Sequence, residues 1–183
     1  SVGMAIAAKW LAATYDRPGY ELFGFDTYTV CSDGDIMEGI GCEAASLAGH
    51  LKLSNLCWIY DDNKITIEGR TDLAFSEDVA GRFEACGWQV ITCGDANDLE
   101  SLDAAYMRFR ECQDKPTLII VKSIIGYGAP NKQDTSGAHG SPLGDEEIAL
   151  AKEAYGWEHE KFAVPTDVVE HFQAKIGKRG AEN

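Results

Sequence analysis

The sequence is short of positive charge. Its 16 lysines and arginines stand against 30 aspartates and glutamates, for a formal net charge of −14, and its pI is about 4.6. Polyanions are repelled by such a surface, which excludes nucleic acid and anionic membranes as broad partners. A phosphorylated small molecule is not excluded, because one metal ion and a few local donors override the mean field within a cleft. No two of the six cysteines are spaced as C-x-x-C, so zinc spacing is missing. Several lie in apolar runs, as in Val30-Cys31 and Leu56-Cys57-Trp58, and read as buried free thiols of a reducing compartment. No apolar run approaches the roughly 18 residues of a membrane span, and no leader pattern opens the sequence. The expectation is a cytoplasmic protein with neither membrane nor nucleic acid as partner. Internal repeats and low-complexity segments are also missing.

A helix start signal is lacking as well. Val2 to Leu11 read as helix interior, with no cap and following glutamate ahead of them. Gly177 to Asn183 are polar and end without a fold signal. The expectation is that both ends are cut, and that the 183 residues are a fragment, a truncated gene product or one part of a split protein. They suffice for one domain with a core.

What is present alternates between two periods. Residues 4–15 carry Ala, Trp and Leu at helical spacing, and Pro18-Gly19 closes that helix. Thr27 to Cys31 is β-branched and aromatic and reads as strand. Ser32 to Asp35 reads as a turn, and Met37 to Leu53 as a helix whose glycines and alanines pack closely. Leu56 to Tyr60 is a continuous apolar run, as in a central parallel strand covered on both faces. Asp61 to Arg70 reads as a loop, 77–86 as helix, Trp88 to Thr92 as strand, and Asp98 to Cys112 as an amphipathic helix capped by Asn97 or Asp98. Thr117 to Lys122 is a strand. Gly126 to Pro142 is a long polar loop with four glycines, beyond the usual connection length. Asp145 to Tyr155 and Pro165 to Lys175 complete the helices. This order predicts an α/β fold: a doubly wound, mainly parallel sheet with helices on both faces.

In such sheets ligands bind at the carboxyl ends of the strands. Ser32-Asp33-Gly34-Asp35 between strand and helix is an anion site, with Gly34 admitting a phosphate to the backbone. The flanking carboxylates would repel a bare diphosphate, and a divalent cation resolves that conflict. The same residues also suit a plain turn and helix cap. Asp61-Asp62-Asn63 offers an amide oxygen and loop carbonyls to the same cation, or equally serves as turn chemistry. Adjacent parallel strands would set the two loops side by side. An Asp-Gly followed by Asn 30 residues after the Asp is the spacing of the thiamine diphosphate fingerprint.

Three strings then resemble transketolases: Ser32-Asp33-Gly34-Asp35-Ile36-Met37-Glu38-Gly39, Glu43-Ala44-Ala45-Ser46-Leu47-Ala48-Gly49-His50-Leu51 and Asp61-Asp62-Asn63-Lys64-Ile65-Thr66-Ile67-Glu68-Gly69. The resemblance continues through Ile125-Gly126-Tyr127-Gly128 and Ala138-His139-Gly140-Ser141-Pro142-Leu143-Gly144. It implies a thiamine-diphosphate-binding fold and transfer of a two-carbon ketol unit from a ketose phosphate to an aldose phosphate, with thiamine diphosphate and Mg²⁺ or Ca²⁺. By that resemblance Asp33, Asn63 and the Ile65 carbonyl ligate the metal, Gly34 donates to the diphosphate, and Ile65 and Ile125 pack on the cofactor. His139 lies beside cofactor and substrate. Glu38 and Glu43 face a subunit interface near the glutamate that activates the aminopyrimidine. Without the resemblance, His139 reads as a loop histidine, Glu38 as a first-turn acid and Ile65 and Ile125 as core or loop-anchor residues, while His50 reads as structural in any case. The resemblance further implies one diphosphate-binding domain over 1–183, incomplete at its N-terminus. By the same resemblance the pyrimidine-binding and C-terminal domains are expected to lie outside these residues, and a homodimer or partner chain is expected. Ser32 replaces a glycine common among relatives; were positive φ needed there, serine would cost about 1 kcal/mol.

Overall fold

The computed structural model describes residues 1–182. Four strands form one sheet in the order β1-β2-β4-β3: β1 Thr27–Ser32, β2 Leu56–Asp62, β3 Gln89–Cys93 and β4 Thr117–Lys122. All of the pairings are parallel. Around them run α1 Val2–Tyr15, α2 Asp33–Met37, α3 Gly39–His50, α4 Val79–Ala85, α5 Leu99–Glu111, α6 Asp145–Tyr155, α7 Thr166–Phe172 and α8 Lys178–Glu182. The fold is α/β, with helices on both faces of a parallel sheet, as the alternation of periods predicts.

The apolar run of β2 has a direct cause. Its alternate residues serve two cores. Leu56, Trp58 and Tyr60 pack with Ala5 of α1, Ala45 and Ala48 of α3, and Phe83 of α4. Cys57 packs with Ala105 and Phe109 of α5 on the opposite face. Both faces are covered, so no polar alternation survives. The first core centres on Trp58, Phe83 and Trp88, with ring centroids 5.8, 5.0 and 5.1 Å apart. Each such pair adds about 0.5–1.5 kcal/mol beyond area burial. Trp88 also donates its indole N–H to the Ala45 carbonyl at 2.8 Å. The small residues of α3 let it approach closely: a Cβ on Gly49 would lie 1.7 Å from the Cys86 carbonyl oxygen.

Several boundaries differ from expectation, each for a local reason. Ser32 to Asp35 is not a free turn. Asp33 opens the one-turn helix α2, with Ser32 as its N-cap and the Ser32 N–H donating to Asp35 Oδ2 at 2.9 Å. Ser32 has φ −120°, so serine carries no left-handed strain. The helix expected from Met37 begins at Gly39, because Glu38 is extended (φ −69°, ψ 136°), and it ends at His50. Asp61 and Asp62 continue β2 instead of opening the loop; Ser32 pairs with Asp61 and Asp62 with Lys122. The helix expected over Pro165 to Lys175 is α7, which passes through a π-helical turn, Gln173–Gly177, into α8. The tail expected to lack a fold signal is therefore helical to Glu182, and Asn183 lies outside the described residues.

Among the described residues no helix is long and apolar enough to cross a membrane. All six cysteines are free; Cys31, Cys57 and Cys93 are buried, and Cys42, Cys86 and Cys112 are partly exposed. Burial, reinforced by neighbouring negative charge, pushes the Cys31 and Cys57 thiols up to about 12. Both are protonated and unreactive at neutral pH.

Candidate active site

Because β1 and β2 are parallel neighbours, their carboxyl ends put Asp33 and Asn63 side by side. Asp33 is fully buried at 0% exposure. Its Oδ1 accepts the Tyr60 hydroxyl at 2.6 Å, and its Oδ2 accepts the Lys64 N–H at 2.9 Å. Lys64 sits in the left-handed region at φ 64°. Asn63 is buried. Its Oδ1 accepts the Ile65 N–H at 2.9 Å, and its Nδ2 donates to Asp61 Oδ2 at 3.0 Å. No backbone N–H among the described residues donates to the Ile65 carbonyl.

Behind these groups lies a second polar layer. Asp62 pairs with the Lys64 ammonium at 2.6 Å and with that of Lys122. Ser123 donates its hydroxyl to Asp61, so β4 braces the end of β2. Burial disfavours the charge on Asp62, but hydrogen bonds and charge from Lys122 and Lys64 outweigh it and hold the carboxyl below its ordinary 3.8. Burial and then the hydrogen bond to Asp33 push the Tyr60 phenol upward. A depressed carboxyl contributes stability above its unfolded pKa and loses it as pH falls through the folded value. Asp62→Asn is therefore expected to flatten the decline in urea midpoint below about pH 4, while lowering the midpoint at pH 7. Parallel curves for both proteins would overturn this.

The cleft in front has a volume of about 590 Å³, and Gly34, Glu38, Ile65 and His139 are among its walls. A Cβ on Gly34 would meet nothing within 4 Å, so open space lies against that backbone. His139 is brought by the long loop, which is folded back on itself. Gly126 has φ 64° and so close an approach to Ala138 that a Cβ would lie 2.8 Å from the alanine Cβ. The Ile125 carbonyl accepts the Asp134 N–H at 2.9 Å. Asn131 donates from its backbone and side chain to Glu147 of α6 at 2.7 and 2.9 Å. Glycine at 126 and the tie to α6 thus hold the loop closed on itself.

Of the residues singled out from sequence, the fold gathers Asp33, Gly34, Glu38, Asn63, Ile65 and His139 at one cleft or directly behind its wall. It does not bring Ile125 or Glu43 to that wall. Ile125 is half-buried at the root of the loop. Glu43 is exposed on α3, beside Cys42, Leu47 and His50. Sequence reasoning passed over Tyr60, Asp62 and Lys122. The signal for them was the period of two along β2, which puts Tyr60 and Asp62 on one face.

Among the described residues no three His, Cys, Asp or Glu side chains cluster as a metal site. The donor set here is of another kind: one carboxylate, one amide oxygen and one free backbone carbonyl. Asp33 takes part in none of the ion pairs among the described residues. A buried carboxylate without a counter-cation is costly, and buried charges are as a rule paired or metal-bound.

Comparison with known proteins shows the family. Residues 1–183 match the family model described as "Transketolase, thiamine diphosphate binding domain". The chain is 52% identical to a transketolase of Geobacillus stearothermophilus over 183 residues, covering 100% of this chain and 27% of that protein. It is 46% identical to transketolase 1 of Escherichia coli K12, covering 100% of this chain and 28% of the other. Among solved structures, the transketolase of Leishmania mexicana superposes with a TM-score of 0.94 at 43% identity, over 99% of this chain and 27% of that one. The chain thus spans about a quarter of the length of these relatives.

Proposed function

The chain belongs to the family of the transketolase thiamine diphosphate binding domain, and from that premise we propose that it carries the metal and diphosphate half of a ketol-transfer site. The proposed reaction moves a two-carbon ketol unit from a ketose phosphate to an aldose phosphate. The observation that carries the reading is Asp33, fully buried without a cation, beside the Asn63 amide oxygen and the unclaimed Ile65 carbonyl. That donor set fits Mg²⁺, which accepts few protein oxygens and takes its remaining places from phosphate and water. Ca²⁺ fits the same oxygens less strictly.

In this reading Asp33, Asn63 and the Ile65 carbonyl hold the cation, and the cation offsets the repulsion between the diphosphate and the acidic loops. Gly34 presents a backbone N–H to the diphosphate across its open space. The Ile65 side chain keeps the site apolar and excludes water, while Ile125, at the root of the loop and off the cleft wall, anchors the loop that carries His139. His139, on the cleft wall, donates hydrogen bonds to the substrate and diphosphate. Bound thiamine diphosphate would supply the carbon nucleophile; the protein supplies position and proton transfer. Glu38 and Glu43 mark the face toward the glutamate of the complementary domain.

That domain has to come from elsewhere. We take residues 1–183 as one diphosphate-binding domain, working with pyrimidine-binding and C-terminal domains on the same protein, or on a partner chain, as a homodimer or complex. The length of the relatives supports this. So do Met37, Ile40 and Leu47, apolar residues exposed along α2 and α3 beside Glu38 and Glu43, with Ile40 at 71%. Six free thiols accord with a cytoplasmic setting.

Calorimetry of thiamine diphosphate binding, with Mg²⁺ and then with EDTA, tests the metal and diphosphate roles. Binding that requires the metal is expected, and binding indifferent to it would defeat the reading. Ketol transfer is expected once a pyrimidine-domain partner is added. Cofactor bound without transfer in that mixture would leave a non-catalytic binding module.

A further inference from the structure

Of the long loop between β4 and α6, only His139 lines the cleft. Its backbone N–H donates to the Ser136 carbonyl at 3.0 Å, but among the described residues its ring takes part in no hydrogen bond or ion pair. Where the imidazole stands is therefore set by the loop backbone, and that backbone is pinned from α6. The Glu147 carboxylate accepts the Asn131 backbone N–H at 2.7 Å on one oxygen and the Asn131 side-chain N–H at 2.9 Å on the other. Glu147 is 7% exposed. It lies in the first turn of α6, where the helix dipole favours its charge.

The placement of this pair gives it leverage. Asn131 and Glu147 are 16 residues apart, and His139 is the midpoint of the span. Joining the two ends of a flexible span restricts the space open to its middle. Within the span, Thr135 donates its hydroxyl to the Lys132 carbonyl at 2.7 Å, and the Lys132 ammonium reaches the Pro142 carbonyl at 3.3 Å. These bonds carry the constraint from Asn131 to both sides of His139. Hydrogen bonds to a carboxylate are roughly twice as strong as neutral ones, so Glu147 holds the loop more firmly than its internal neutral bonds do. We propose that Asn131 and Glu147 are a positioning pair that holds the His139 imidazole at the cleft, neither of them lining the cleft itself. This rests on the role given to His139 above, in which its ring donates to the diphosphate.

A double-mutant cycle tests the proposal, with thiamine diphosphate affinity in the presence of Mg²⁺ read by calorimetry. His139→Ala is expected to weaken binding about tenfold or more, as for one lost hydrogen bond to a charged group. Glu147→Ala alone is expected to weaken it about fivefold to tenfold, because a displaced donor forfeits most of that bond. With alanine already at 139, the same change is expected to cost less than about twofold, since residues that act through one another are not additive. Asn131→Ala keeps the backbone bond to Glu147 and is expected to show the same pattern at a smaller size. It also takes the place of Glu147→Ala in the cycle if thermal unfolding shows that variant unfolded. Unchanged affinity in Glu147→Ala, or an equal loss with and without His139, would overturn the proposal while leaving the role of His139 intact. If His139→Ala itself leaves the affinity unchanged, the role of His139 falls, and the positioning pair falls with it.

Discussion

Alanine at Asp33 is expected to abolish Mg²⁺-dependent binding of thiamine diphosphate. The carboxylate is at 0% exposure, and it is the only charged side chain among the three proposed ligands, so no neighbour can substitute for it. Without it, an incoming diphosphate meets the carboxylates of Asp35 and Asp61 with no cation between them. Removing one partner from a buried charge pair costs about 3–5 kcal/mol, and at about 1.4 kcal/mol per decade that is a hundredfold or more in affinity. Calorimetry with and without Mg²⁺ measures it directly. The wild type is expected to show a large difference between the two conditions and the variant none. A variant that still binds more tightly with Mg²⁺ would remove Asp33 from the ligand set.

Gly49→Ala is expected to be the most damaging single methyl in the fold. The added Cβ would sit 1.7 Å from the Cys86 carbonyl oxygen and 3.4 Å from the Trp88 ring. The first obstacle is backbone, so no rotamer change relieves it. Helix α3 must move away from the end of α4, which loosens Ala45 and Ala48 from the core of Trp58, Phe83 and Trp88. Overpacking usually costs about 1–3 kcal/mol, and an unrelieved backbone clash belongs at or beyond the upper end. For a chain of this size that lowers the unfolding midpoint by about 10 °C. A scanning unfolding experiment showing a loss under about 2 °C would mean that α3 has room the structure denies it. Gly39→Ala, where a Cβ meets nothing within 4 Å, is the matching control.

The sheet was readable because its cause is local. Leu56 to Tyr60 are apolar without alternation since both faces are covered, and composition alone reports that. The end of the same strand was misread for the opposite reason. Asp61 and Asp62 look like loop residues, and they stay in the strand because Lys122, the last residue of β4, and Ser123, just after it, meet them. Those partners lie about 60 residues away in sequence, beyond any window of periodicity. Asp33 to Met37 failed likewise. Asp-Gly-Asp reads as a turn, but buried Ile36 and the bond from Ser32 to Asp35 wind it into helix. At the site, the spacing of Asp33 and Asn63 pointed to two neighbouring loops, and the register of β1 on β2 puts them there. Tyr60 was hidden in plain view: within an apolar run its ring explains its position, and nothing local reveals where its hydroxyl points. Ile125 and Glu43 show the converse, since a motif names residues without saying how far each stands from the cleft.

The strand order has a kinetic consequence. β4 lies between β2 and β3, so neither inner edge can close until β4 arrives, and its first partner in β2, Cys57, precedes Thr117 by 60 residues. Loop closure over that span adds only slowly to the free-energy cost, but such non-local pairing is slow. At ribosomal rates of about 5–20 residues per second, the gap between making β2 and making β4 is roughly 3–12 s. Throughout that interval Leu56-Cys57-Trp58-Ile59-Tyr60 presents an apolar, unpaired edge to the cell. The strand that braces the end of β2 is thus the one a chaperone would have to wait for.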